Sequence, residues 1–282
     1  MKLKEILDIL ENFSPLHLAC SWDNPGLLYG NLNKDIQSVY LCLDITNRIL
    51  EDAREKGVDL ILSHHPLIFS PLSTLDGRHL GSSKVCQLVQ ADIAAYSIHT
   101  NFDVVPDGMG KIAAEVLGLA IEKPLEKLGE FQNKAYGIGV IGHFYSEESQ
   151  NNIEEVPLSI VLDRVKKRFE LEQLIYYGSL QKSIQKIALS PGSGKGMSKM
   201  AWEMGADVLI SGDITHHEAI DALDMGLAVI DAGHYGIEYL FVYFFQNFLQ
   251  KHFGEHLEIF CESKTLPNQV YHESSNSNAQ RA

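Results

Sequence analysis

A shift of 148 residues lays one stretch of this chain on another without a gap. Val39 to Ser63 opens Val-Tyr-Leu-Cys-Leu-Asp and closes Gly57-Val-Asp-Leu-Ile-Leu-Ser. Ile187 to Ser211 opens Ile-Ala-Leu-Ser-Pro-Gly and closes Gly205-Ala-Asp-Val-Leu-Ile-Ser. Leu41 and Leu189, Gly57 and Gly205, Asp59 and Asp207, and Ser63 and Ser211 coincide, with apolar residues matched between them. Each copy reads as an apolar strand, a helix stopped by glycine and a second apolar strand, with a third strand to follow: Ile93 to Ile98 in the first, Leu227 to Ile230 in the second. The match predicts an internal duplication. Strands alternating with helices predict α/β architecture with largely parallel sheets, in which ligands sit beyond the carboxyl ends of the strands.

The expected organisation is a first α/β domain over residues 1–124 and a second over 125–266. The C-terminal helix after about residue 234 is free to pack back on the first, and 267–282 reads as a disordered Ser/Asn-rich tail. Lys2 to Phe13 has the spacing of an amphipathic helix, with Leu3, Ile6, Leu7 and Leu10 on one face. Trp22 to Leu27 reads as a turn, Asn47 to Lys56 and Ser83 to Gln90 as helices. In the middle, Ala135 to Phe144 is strand-like, Glu147 to Glu155 reads as a polar surface loop and Leu158 to Glu170 as a helix. Gly236 to Phe253 carries Ile237, Leu240, Phe241, Phe244, Phe245, Phe248 and Leu249 at helical spacing with a strongly apolar face.

Charge narrows the partners. With 23 Lys+Arg against 37 Asp+Glu the formal charge is −14, which disfavours nucleic acid and anionic membrane surfaces. The four cysteines form no CxxC pair, so neither a zinc ribbon nor a disulfide scaffold is indicated. A charged N-terminus without an apolar leader, and no membrane-length apolar run, lead to the expectation of a cytoplasmic protein.

Twelve histidines stand out in so acidic a chain. Three groups fall at predicted strand ends. His64-His65 follow Val58 to Leu62, and Asp103 lies beyond Ile98. His234 and Glu238 follow Ala228 to Ile230; if a helix starts there, the two share a face of its first turn. Imidazole and carboxylate together suit Zn, Fe, Mn or Ni. Five such ligands, two of them carboxylates able to bridge, fit two ions about 3.5–4 Å apart. Neighbouring histidines on extended chain diverge, so reaching two ions is easier for them than sharing one.

In order and combination, several segments make the chain resemble the NIF-three-like family, also called GTP cyclohydrolase I type 2 homologues, up to about Pro267. They are Trp22-Asp23-Asn24-Pro25-Gly26-Leu27, Ser63-His64-His65-Pro66, His99-Thr100-Asn101-Phe102-Asp103, Gly212-Asp213-Ile214-Thr215-His216-His217-Glu218-Ala219 and Gly233-His234-Tyr235-Gly236-Ile237-Glu238. The resemblance implies two similar αβα-type domains with a dinuclear metal centre in the cleft between them. Its ligands would be His64, His65, Asp103, His234 and Glu238, two divalent ions per subunit. It further implies a ring-shaped homohexamer, and the chain's length matches the short form without a central insertion.

Other residues keep two readings. His216 and His217 are either cleft-wall, substrate-contacting residues or a structural helix start. His99 is either an orienting partner of a ligand or a strand-end hydrogen bond, while His252 and His256 read as solvated. Pro191-Gly192-Ser193-Gly194-Lys195-Gly196 fits neither the Walker nor the dinucleotide pattern. It is either an anion-accepting turn, facing Asp44-Ile45-Thr46 across the cleft, or a plain tight turn. The functional expectation is a metal-dependent hydrolase of a small substrate, nucleotides and cyclic compounds included; the alternative is a non-enzymatic metal-binding scaffold, chaperone or regulatory interaction protein. No guanine- or triphosphate-gripping signature is visible, and neither is the water-activating residue.

Overall fold

The computed structural model describes residues 1–146 and 149–265; the expected tail beyond 267 lies outside them. Four short strands, β1 (Gly26–Tyr29), β2 (Ser38–Cys42), β3 (Leu60–Ser63) and β4 (Ala94–Ser97), are followed by a long hairpin of β5 (Ala120–Phe131) and β6 (Lys134–His143). Then come β7 (Tyr145–Ser146), β8 (Ser149–Ile153), β9 (Val156–Pro157), β10 (Ile175–Tyr177), β11 (Ser183–Ile184), β12 (Ile187–Leu189), β13 (Val208–Ser211), β14 (Ala228–Asp231) and β15 (Glu258–Cys261).

Two mixed sheets result. The first has the order β1-β4-β3-β2-β15 and the second β10-β14-β13-β12-β6-β5. In the first, β15, β2, β3 and β4 run parallel, and in the second β12, β13 and β14; in each a further strand lies antiparallel at the edge, β1 against β4 and β10 against β14. The duplication read at an offset of 148 thus extends to an edge strand, where Tyr29 and Tyr177 coincide and Gly30 and Gly178 follow them.

Period-two patterning explains the layers. In β2, Val39 and Leu41 enter one core while Tyr40 and Cys42 enter the other; β3 splits in the same way, Leu60 and Leu62 against Ile61. The second sheet copies this, with Ile187 and Leu189 against Ala188, and Val208 and Ile210 against Leu209. Strands buried on both faces need helices on both faces. The helix Leu3–Phe13 supplies one cover by burying its expected face, Leu3, Ile6, Leu7 and Leu10. Asn47–Glu55 covers the opposite side.

Two boundaries differ from the expectation. The strand Glu258–Cys261, expected within residues 125–266 of the second domain, pairs with β2 in the first sheet. Helix Leu240–Phe253 packs Phe241, Val242, Phe245 and Leu249 into the first core, so that unit is assembled from both ends of the chain. The hairpin begins at Ala120, before the expected boundary at 124. Part of the expected loop at 147–155 is strand: β7 pairs with β8. The expected helix over Gly236 to Phe253 starts at His234 and is interrupted at Tyr239, giving His234–Glu238 and then Leu240–Phe253. Among the described residues no helix is long and apolar enough to cross a membrane.

Candidate metal centre

The carboxyl ends of the parallel strands in the two sheets face a common cleft, where all five expected ligand residues meet. His64 follows β3 and is fully buried. Its Nδ1–H donates to the Ile98 carbonyl at 2.8 Å; since a carbonyl only accepts, Nε2 is the lone-pair nitrogen of the neutral ring. That atom faces Asp103 Oδ1 at 3.6 Å and Glu238 Oε1 at 3.7 Å. Among the described residues neither His64 Nε2 nor Asp103 Oδ1, both shut off from solvent, has a hydrogen-bond partner. A buried lone pair aimed at two carboxylate oxygens is costly as it stands and fits a cation between them.

His65 serves the other oxygen of Glu238. Its Nε2 lies 3.0 Å from Oε2 and 3.2 Å from His234 Nε2, and His234 Nε2 lies 2.8 Å from the same Oε2. The far nitrogens are held by carboxylates: His65 Nδ1 by Asp44 at 3.1 Å, His234 Nδ1 by Asp213 at 2.9 Å. Two triads of side chains therefore offer donor atoms within 4.8 Å of one another: His65, His234 and Glu238, and His64, His65 and His99. These groups could hold a metal ion.

The electrostatics fit that purpose. Burial works against protonation of His65, but hydrogen bonds to Asp44 and Glu238 outweigh it and lift its pKa to about 10. His234 is lifted to about 9 by Glu238 and Asp213 against the same penalty. Burial alone would raise Glu238, yet the surrounding imidazoles hold it well below the usual carboxylate range. Asp103 is raised by burial and by the negative charge of Glu238. Protons and a metal would compete for one anionic nest.

Glycines let the strand ends approach. Gly192 has φ +83, and a Cβ there would lie 2.7 Å from Glu238 Oε1; a Cβ on Gly212 would meet His234 N at 2.4 Å. The loop Ser190 to Gly196 thus presses against the carboxylate that faces His64, His65 and His234. Its anion-accepting reading is partly pre-empted, because Gly196 N–H already donates to Glu218 Oε1 at 2.9 Å.

Asp44, Asp213 and Asp23 were not singled out from sequence as partners of histidines. Asp23 Oδ1 accepts from His99 Nδ1 at 2.8 Å, so His99 is carboxylate-held like His65 and His234. His216 and His217 open the helix His216–Asp224, which is capped by Thr215 and Glu218. Both are exposed and neither lines the cleft cavity, so they are a helix start. That cavity, of about 470 Å³, is lined by Cys20, Trp22, His99, Asp103, His234 and Glu238 on one side and Ser190 to Lys195 on the other.

A family model described as Duf34/NIF3 (NGG1p interacting factor 3) matches residues 1–267. The chain belongs to that family. A NIF3-family relative from Clostridium perfringens, named GTP cyclohydrolase 1 type 2 homolog, is 35% identical over 239 residues, 85% of this chain and 87% of its own. Among solved structures, reduced HcgD from Methanocaldococcus jannaschii superposes with a TM-score of 0.77 at 34% identity, covering 93% of this chain and 97% of its own. Staphylococcus aureus hypothetical protein SA1388 gives 0.82 at 27% identity, covering 96% and 99%. The NIF3 fold, mixed α/β with two large sheets, agrees with the expected class.

Proposed function

We propose that the cleft holds two divalent ions and that the protein is a metal-dependent hydrolase of a small molecule. The observation that carries this reading is Glu238, buried, with Oε1 toward His64 and Oε2 toward His65 and His234. One ion would be held by His64, Asp103 and Glu238 Oε1, the second by His65, His234 and Glu238 Oε2, the carboxylate bridging. When bound, such ions supply Lewis acidity toward a substrate oxygen and make water a stronger acid. Asp44 and Asp213 fix the imidazole tautomers, presenting Nε2 lone pairs inward. The apolar residues Val104, Met109 and Ile138 line the same cavity and restrict water.

The relatives' name supports hydrolysis of a nucleotide. Among the described residues, however, Lys195 is the lone ammonium or guanidinium lining the cavity, against Asp103 and Glu238. Protein charge does not grip a triphosphate there, and small ring compounds with fewer phosphates come ahead of GTP.

Turnover of a metabolite panel, GTP included, by metal-loaded wild type and by Asp103→Asn tests the reading. Metal-dependent hydrolysis lost in the variant is expected. No metal-dependent turnover across a broad panel would instead favour a metal-binding scaffold. The ring-shaped homohexamer is part of the same proposal, and light scattering should give six times the 31.5 kDa chain mass.

A further inference from the structure

The cleft has a wall that the metal ligands do not use. Trp22 lines the cavity, and its side chain belongs to a residue 59% exposed. Its neighbour is the reverse: the Asp23 side chain is fully buried. Besides holding His99, that carboxylate accepts from Thr100 N at 3.1 Å and Thr100 Oγ1 at 2.6 Å. On the other side Asn24 Nδ2 donates to the Ile68 carbonyl at 2.6 Å. The segment so tied brings the Phe69 ring to 5.9 Å from the indole, and the His99 ring stands edge-on at 6.2 Å.

A backbone anchored this firmly would be enough to bury an aromatic ring. Here it holds one at the rim of a cavity, a stacking surface already ordered before any ligand arrives. Lys195 comes to the same cavity from the loop after β12. A volume of about 470 Å³ lies in the range of small-molecule sites.

We infer that Trp22 is the ring-binding wall of a substrate subsite, which takes a ligand with a planar heteroaromatic ring and an anionic group reaching Lys195. This rests on the cleft being a small-molecule site, and it adds the class of molecule that site selects.

The chain has two tryptophans. In a Trp202→Phe background, Trp202 lying outside the cavity, Trp22 alone emits. Metal-loaded full-length protein is titrated with GMP and nicotinamide mononucleotide (ring and phosphate), guanosine (ring alone) and ribose 5-phosphate (phosphate alone). The two ring-bearing phosphates should quench Trp22. Trp22→Ala should weaken their binding at least tenfold and Trp22→Phe much less, in keeping with base–aromatic stacking. Ribose 5-phosphate should be indifferent to Trp22→Ala, and Lys195→Ala should weaken GMP more than guanosine.

Equal GMP and nicotinamide mononucleotide affinity in wild type and Trp22→Ala overturns the subsite, as does the absence of ring binding to protein whose metal content is intact. Failure to load metal at all overturns the underlying centre instead, so elemental analysis of the same samples separates the two failures. A Trp22→Ala protein with unchanged ring binding but a smaller assembly would place the indole between copies of the chain, and that too overturns the subsite.

Discussion

Asp59 and Asp207 do the same work in the two halves of the molecule. Asp59 Oδ2 accepts from Gln37 N and Ser38 N at 2.8 and 3.1 Å; Asp207 Oδ2 accepts from Gln185 N and Lys186 N at 2.9 and 2.8 Å. Each carboxylate, at the foot of one parallel strand, captures the two amides that lead into the strand beside it. Asp59→Ala and Asp207→Ala should each cost roughly 1–3 kcal/mol, the penalty for stranded polar groups. Thermal unfolding should show similar losses, and a large loss at one site with none at the other would contradict an energetic equivalence.

Removing the carboxylates proposed as ligands should sort the proposed ions. Glu238→Gln is expected to drop metal content below one ion per chain, and Asp103→Asn to leave about one. Elemental analysis after dialysis decides, and full occupancy in Glu238→Gln would end the bridging assignment.

Metal affinity should climb with pH. A pKa raised above its unfolded value, to about 10 at His65 and about 9 at His234, stabilises the metal-free fold below about pH 6.5. That contribution is lost as pH rises through the raised values. Ions need the deprotonated imidazoles, so the melting-temperature gap between loaded and metal-free protein should widen from pH 6.5 to 9. A gap independent of pH would show that these histidines bind no metal.

Gly192→Ala and Gly196→Ala make a discriminating pair. Both glycines have positive φ, +83 and +80, so each variant carries backbone strain of roughly 1 kcal/mol or more. Only at position 192 does the added methyl meet Glu238 Oε1; at 196 nothing lies within 4 Å. Metal content should fall in Gly192→Ala alone, and equal retention in both would show that the contact is harmless.

Glu262→Gln should stabilise the protein in alkaline solution. Burial, with the negative charge of Asp44, lifts Glu262 to about 7, while the Leu43 amide donates to its Oε1 at 2.8 Å. An acid with a raised native pKa makes stability fall as pH rises from about 4.5 to 7. Glutamine keeps the acceptor and loses the charge, so a gain on the order of 1–2 kcal/mol is expected at pH 8 and little at pH 4.5. An equal change at both values would remove the ionisation as its cause.

The parallel strands were legible because their apolar runs are buried on both faces. The edge strands were not: four residues such as Gly26–Tyr29 or Glu258–Cys261 show too few alternations to choose a sheet. The long β5 escaped notice because Glu122, Lys123, Glu126, Lys127 and Glu130 give it the look of a surface loop, and two register shifts blur its period. In the site, the histidines declared themselves by type and by position after strands, but an aspartate at a strand end is commonplace. A signal was nevertheless there. Asp44 precedes His65 by 21 residues, and Asp213 precedes His234 by 21. In each half that is one step from a strand end to the next, and folding turns the distance in sequence into a hydrogen bond.

The pairing of Glu258–Cys261 with β2 has a consequence for how the molecule comes into being. Synthesis runs from the amino end, so the first sheet waits with the outer edge of β2 bare while more than two hundred residues are added. Glu238 arrives in the same late stretch as the strand that covers that edge. The half made first is the half finished last, and completing its sheet also delivers the carboxylate that His64, His65 and His234 face.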